Sequence, residues 1–170
     1  SSDLGKVLTR ICLERDDIEL VAINDTTPRY MLEYLTRNDS VHGQISNDLR
    51  IENEIMYLDN MKIKLFDTRD LNELDFASLG VDVVIECTGA FLTKQKAQPY
   101  LDKGIKKVIF SSPAKDDTPT YVMGVNNHLY KGESIISNAS CTTNCLGPIV
   151  KVLDDEFGVE KALMTTIHSY

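Results

Sequence analysis

The chain has 170 residues, 42% of them hydrophobic, enough apolar material for one ordinary core, so a single compact unit is the first expectation. Its net charge of −8, with no concentrated basic stretch, argues against nucleic acid or an anionic membrane surface as partner and requires any phosphate binding to be local. Four cysteines (Cys12, Cys87, Cys141 and Cys145) without extracellular spacing, strand-length apolar runs and no targeting segment point to a soluble protein of a reducing, cytoplasmic compartment.

In chain order, Leu4 to Glu14 has helical spacing, and Ile18 to Ile23 is a short apolar run rich in β-branched residues. Pro28 to Thr36 reads as a second helix. From Asp48 to Phe66 the pattern changes to period two, with Leu49, Ile51, Ile55 and Tyr57 followed by Lys62-Ile63-Lys64-Leu65. That stretch predicts an antiparallel hairpin insert with Asp59-Asn60 as its turn. Val81 to Ile85, Lys107 to Phe110 and Ser134 to Ile136 suit strands buried on both faces, with a helix over Thr93 to Lys103 between the first two. Thr142 to Phe157 is the last helix. Strand–helix alternation of this kind predicts an α/β fold, a doubly wound parallel sheet with helices on both faces.

The chemistry concentrates in Ser137-Asn138-Ala139-Ser140-Cys141-Thr142-Thr143-Asn144-Cys145, a polar run opening directly onto the last helix. Backbone N–H groups not yet paired in a helix, and the positive end of its dipole, favour the ionised form of a sulfur placed there. His168 follows Cys141 by 27 positions, after the apolar run Ala162 to Ile167. If that run is a strand returning beside the helix start, imidazole meets thiol, the minimum equipment for covalent catalysis at a carbonyl. Ser140 and Thr142 offer hydroxyls at the same helix N-terminus, a place that suits an anion, although helix capping explains part of that choice. Cys145, four residues on, reads as a packing residue, because i,i+4 helical cysteines close poorly into a disulfide; Cys12 and Cys87 read the same way. His42 reads as structural and His128 as a loop residue. No cysteine–histidine spacing suggests a metal site.

The nonapeptide, together with Thr165-Thr166-Ile167-His168-Ser169-Tyr170, resembles the phosphorylating glyceraldehyde-3-phosphate dehydrogenase family. Val21-Ala22-Ile23-Asn24-Asp25, Asp39-Ser40-Val41-His42-Gly43, Glu86-Cys87-Thr88-Gly89 and Ser112-Pro113-Ala114-Lys115-Asp116-Asp117-Thr118-Pro119 follow that family's order. The similarity runs nearly end to end but covers about the first half of the family's usual polypeptide. It implies a Rossmann-type domain over residues 1–140, without its first strand, and a nucleophile helix opening the catalytic domain over residues 141–170, with most of the substrate domain absent. Ser1 to Lys6 occupies the place of the family's glycine-rich turn. Only Gly5 has a counterpart there; Ser2 replaces a glycine and Asp3 an arginine, and the Asp3 carboxylate is expected to repel a pyrophosphate.

The resemblance implies Cys141 as nucleophile and His168 as base, with Ser140 and Thr142 beside Cys141 holding the attacking phosphate. It implies NAD as cofactor, contacted by Asp3 and Leu4 near the turn, Asp25, Arg69 near the adenine, Thr88, Gly89, Phe91 and Ser111. On spacing alone Asp25 serves equally well as a turn or capping residue before Pro28, and Arg69 as a solvated arginine. An acid at position 25 disfavours a 2′-phosphate, hence NAD over NADP. The implied activity is oxidation of a phosphorylated aldehyde through a cysteine thioester, released by inorganic phosphate as an acyl phosphate in glycolysis, by a homo-oligomer that is a tetramer in the family. This chain alone is expected to be weakly active or inactive. Erythrose-4-phosphate dehydrogenase, a cofactor-free thiol acyl-transfer or esterase activity, and a non-catalytic interaction fragment are the alternatives.

Overall fold

The computed structural model describes residues 2–168, without the side chains of Ser2 and Asp3. The helices are α1 (Ser2–Leu13), α2 (Arg29–Arg37), α3 (Lys94–Asp102) and α4 (Cys141–Phe157). The strands are β1 (Ala22–Asn24), β2 (Asn38–Asp39), β3 (Gly43–Gln44), β4 (Leu49–Glu52), β5 (Ile55–Leu58), β6 (Met61–Phe66), β7 (Val83–Glu86), β8 (Lys107–Phe110) and β9 (Ile135–Ser137). This is the α/β architecture with parallel strands expected of a Rossmann-type domain.

The parallel ladder comes in two sections. In one, β1 pairs parallel with β6, which continues antiparallel through β5 to β4; in the other, β7, β8 and β9 lie parallel in that order. Both β1 and β7 are terminal strands of their sheets. The predicted hairpin insert is a three-stranded meander, and its last strand belongs to the parallel ladder through Ala22↔Lys64, Ile23↔Leu65 and Asn24↔Phe66. Asp59-Asn60 makes the expected two-residue turn. A second turn at Asn53-Glu54 closes β4 onto β5, with Asn53 at φ 55°. Asparagine tolerates that left-handed conformation better than most residues, which is the cue that this turn carried in the sequence.

Each section has its own core. Leu32, Leu49, Met56, Leu58, Ile63 and Leu65 close the space between α2 and the meander. Phe76, Val84, Ala97, Tyr100, Val108 and Phe110 belong to the second cluster, formed around α3 and the β7–β9 sheet. Ala22 and Phe66 pack against this second cluster from the other section, and the Phe66 and Phe76 rings meet edge to face with centroids 5.3 Å apart. Among the described residues no helix is long and apolar enough to cross a membrane.

Two expectations change. The run Ala162 to Ile167 forms no strand: it is irregular and exposed, and Leu163 and Ile167 are fully open to solvent. A strand requires a ladder partner, and none of the described residues supplies one there. Residues 2–6 are already helical, so Asp3 and Leu4 sit in the first turn of α1 and not in a preceding loop. Ser1 lies outside the described residues, as do Ser169 and Tyr170.

Candidate active site

Parallel strands end at one edge, and the loops leaving those ends carry most of the residues singled out from sequence. Asp25 leaves β1, Arg69 follows β6, Thr88 and Gly89 follow β7, Ser111 follows β8, and Cys141 follows β9. In open α/β sheets, ligands bind outside these carboxyl ends.

The loops are tied to one another by side chains. Asn24 Nδ2 donates to Thr68 O (2.9 Å), and Thr68 N returns a bond to Asn24 Oδ1 (3.1 Å), so the loop after β6 is held against the end of β1. Asp25 Oδ1 accepts from Thr27 N at 2.8 Å, the turn-forming role weighed from sequence. That bond engages one carboxylate oxygen and is compatible with a ribose contact through the other. Arg69 is exposed in the loop that Asn24 steadies.

Glu86 organises the next loop. It is buried (3% exposed), and its Oε1 accepts from Thr88 N at 2.6 Å and from the Thr88 hydroxyl, while Tyr100 Oη donates to Oε2 at 3.4 Å. Burial and the neighbouring carboxylate push the Tyr100 phenol above its ordinary range, so it remains a donor. Ser111 donates both its N–H (3.1 Å) and its hydroxyl (3.0 Å) to the Glu86 carbonyl. Thr88 and Ser111 thus meet on one residue that sequence reading did not single out. A carboxylate inside an apolar strand, two positions before a threonine, was the cue available. Gly89, at φ 76°, turns the chain past this carboxylate toward the half-buried Phe91.

The start of α1 stands near the same edge. A β-carbon built on Gly5 would sit 3.6 Å from Cys87 Cβ, so the first turn of α1 lies against the end of β7. Its leading N–H groups have no partners within the helix, which makes this a suitable place for a pyrophosphate. Leu4 is exposed beside it. Burial is the main cause raising the Cys87 thiol above its usual range, so this cysteine is poorly suited to act as a nucleophile.

At α4 the arrangement follows the sequence closely. Ser140 is the N-cap, its Oγ accepting from Thr143 N at 3.0 Å. Cys141 is the first helical residue and is exposed. The helix begins beyond β9 because Ala139 takes a left-handed backbone (φ 60°), turning the chain out of the sheet. His168 reaches this helix start without a strand beneath it: its Nε2 lies 3.5 Å from Thr142 Oγ1 and 3.2 Å from Thr166 Oγ1. The imidazole therefore stands next to the residue adjoining Cys141, and among the described residues no hydrogen bond joins it to the sulfur. His42 bonds Asp39 Oδ1 at 3.1 Å in its own turn, and His128 lies in a short 3-10 turn, in keeping with their non-catalytic reading.

Residues 3–94 match the family model described as glyceraldehyde 3-phosphate dehydrogenase, NAD binding domain, and residues 140–170 match its C-terminal domain. A glyceraldehyde-3-phosphate dehydrogenase of Buchnera aphidicola is 46% identical over 166 residues, covering 98% of this chain and 50% of the relative. A cytosolic glyceraldehyde-3-phosphate dehydrogenase of Trypanosoma brucei brucei is 44% identical with the same coverage, and one from Eremothecium gossypii is 45% identical over 168 residues. The chain spans about half the length of these relatives.

Proposed function

The chain belongs to the glyceraldehyde 3-phosphate dehydrogenase family, and from that membership we propose that it carries the cofactor-binding region and nucleophile helix of an NAD-dependent phosphorylating aldehyde dehydrogenase. The observation that carries the reading is that Asp25, Arg69, Thr88, Ser111 and Cys141 each follow the carboxyl end of a strand paired in parallel. Residues 1–140 form the dinucleotide-binding part, and 141–170 open the catalytic part. The substrate is a phosphorylated aldehyde. The working assembly is a homo-oligomer, a tetramer, in the cytoplasm, in line with the relative named cytosolic.

NAD fits the donors present. The first-turn N–H groups of α1, including those of Asp3 and Leu4, suit the pyrophosphate, against the opposing charge of the Asp3 carboxylate, and Asp25 suits the adenosine ribose hydroxyls. Arg69 is assigned to the adenine, with Thr88, Gly89, Phe91 and Ser111 as further cofactor contacts. When bound, NAD supplies the hydride acceptor. The Cys141 thiolate attacks the aldehyde carbon, forming a C–S bond and a hemithioacetal oxyanion. His168, as imidazolium, donates a proton to that oxygen and so becomes the neutral base, which takes the same proton back when hydride leaves carbon and the thioester forms. Ser140, Thr142 and the first N–H groups of α4 hold inorganic phosphate, whose oxygen attacks the thioester carbon. The C–S bond breaks, acyl phosphate departs and the thiolate is restored.

Calorimetric titration tests the cofactor half of this reading. NAD is expected to bind more tightly than NADP, and Asp25→Ala to weaken NAD binding about 10- to 100-fold, the loss of one charge-assisted hydrogen bond of about 1.5–3 kcal/mol. Equal affinity for the two nucleotides, or no change on removing Asp25, contradicts the assignment.

A further inference from the structure

The turn that delivers the nucleophile adopts a conformation that its side chain disfavours. Ala139 is buried (4% exposed) at φ 60°, a left-handed backbone that a residue with a β-carbon rarely adopts. Such a conformer persists where its surroundings over-determine it, and it sits here immediately before the cap and the first residue of α4. On the strand side, the fully buried Ser137 Oγ accepts from Ala139 N at 3.1 Å and donates to Ser112 O at 2.8 Å. Asn138 N adds a bond to Phe110 O at 2.9 Å. On the helix side, a single nitrogen spans the strained residue. Asn144 Nδ2 donates to Asn138 O at 2.6 Å and to Ser140 O at 2.9 Å, the carbonyls of the residues on either side of Ala139.

We propose that Asn144 is a positioning residue for Cys141, its side-chain amide clamping the left-handed turn at Ala139 so that the sulfur is held exposed at the start of α4. The inference rests on reading Cys141 as the nucleophile. The chemistry favours asparagine: one uncharged NH2 provides both donors, and two carbonyls need donors only. An aspartate of the same shape would set a negative charge against both carbonyls and close to the thiol. Cys145 lies on the same helix, is also exposed, and follows no such turn, so it is an internal reference for reactivity.

The test is iodoacetamide alkylation of the 170-residue chain, with rates at Cys141 and Cys145 read in one sample by peptide mass spectrometry. In the unaltered chain Cys141 reacts faster. Asn144→Ala is expected to lower the Cys141-to-Cys145 rate ratio about tenfold, with Asn144→Asp, nearly isosteric and still folded, lowering it at least as far. Adding Ala139→Gly to Asn144→Ala is expected to restore the ratio, because glycine adopts the turn without a clamp. A general loosening of α4 would change both cysteines together. An unchanged ratio in both Asn144 variants, or a fall that glycine at 139 does not reverse, overturns the proposal. Equal rates in the unaltered chain overturn the nucleophile reading, and this inference with it.

Discussion

Asp39 shows how far one carboxylate can organise a loop. Its Oδ1 accepts from His42 N at 2.7 Å and Val41 N at 2.8 Å, and these backbone bonds, His42 first, hold its pKa at about 2. The folded value lies below the unfolded one of about 3.9, so the stabilisation is present above pH of about 4 and lost as pH falls toward 2. Asp39→Asn is expected to flatten the acid limb of stability between those values by lowering stability at neutral pH while leaving it little changed near pH 2, measured by urea unfolding across pH. An unaltered acid limb would contradict it. At the head of α4, Ser140→Ala removes the cap on Thr143 N and is expected to cost about 1 kcal/mol, read as a lowered urea midpoint. No loss would mean that the cap contributes nothing to the helix.

At the scale of elements, the meander is the firmest test of packing. Leu58 is fully buried between Leu49 across the ladder and the α2 side of the core, so Leu58→Ala is expected to destabilise by about 2–5 kcal/mol in chemical unfolding. A cost well under 1 kcal/mol would show that this cluster is not closed. The segments legible in the sequence were those whose signals are local. Thr93 caps α3 and Ser140 caps α4, so both helices begin within a residue of the expected start, and β8 matches its predicted span. What depended on neighbours was less visible. The run from Ile18 enters a ladder only at Ala22, where β6 offers partners, and Ile18 itself is half exposed. Residues 162–167 have strand chemistry without a strand to join. The individual roles of Glu86, Ser137 and Asn144 were not legible, because they come from contacts with loops and carbonyls that periodicity does not report.

Across the whole molecule, two cores meet at Ala22, Phe66 and Phe76, while much apolar surface stays open. On α4, Ile149 and Val152 are 55% and 61% exposed and line a shallow apolar groove with Pro148 and Leu153, and Phe157, 83% exposed, follows on the same helix. A continuous stripe of this kind binds apolar dyes. The Val152→Lys, Phe157→Lys double variant is expected to reduce anilinonaphthalenesulfonate fluorescence severalfold with unchanged far-UV circular dichroism. Undiminished fluorescence would place the dye elsewhere. At the same end of that helix as its cap, the proposed chemistry rests on one sulfur, and it can be examined without cofactor by running the last step backwards. Incubation with acetyl phosphate, followed by peptide mass spectrometry, should place an acetyl group on Cys141 as phosphate leaves, with Cys145, Cys12 and Cys87 unmodified and no adduct in Cys141→Ser. Acetylation spread over the other cysteines, or absent from Cys141, would contradict the account.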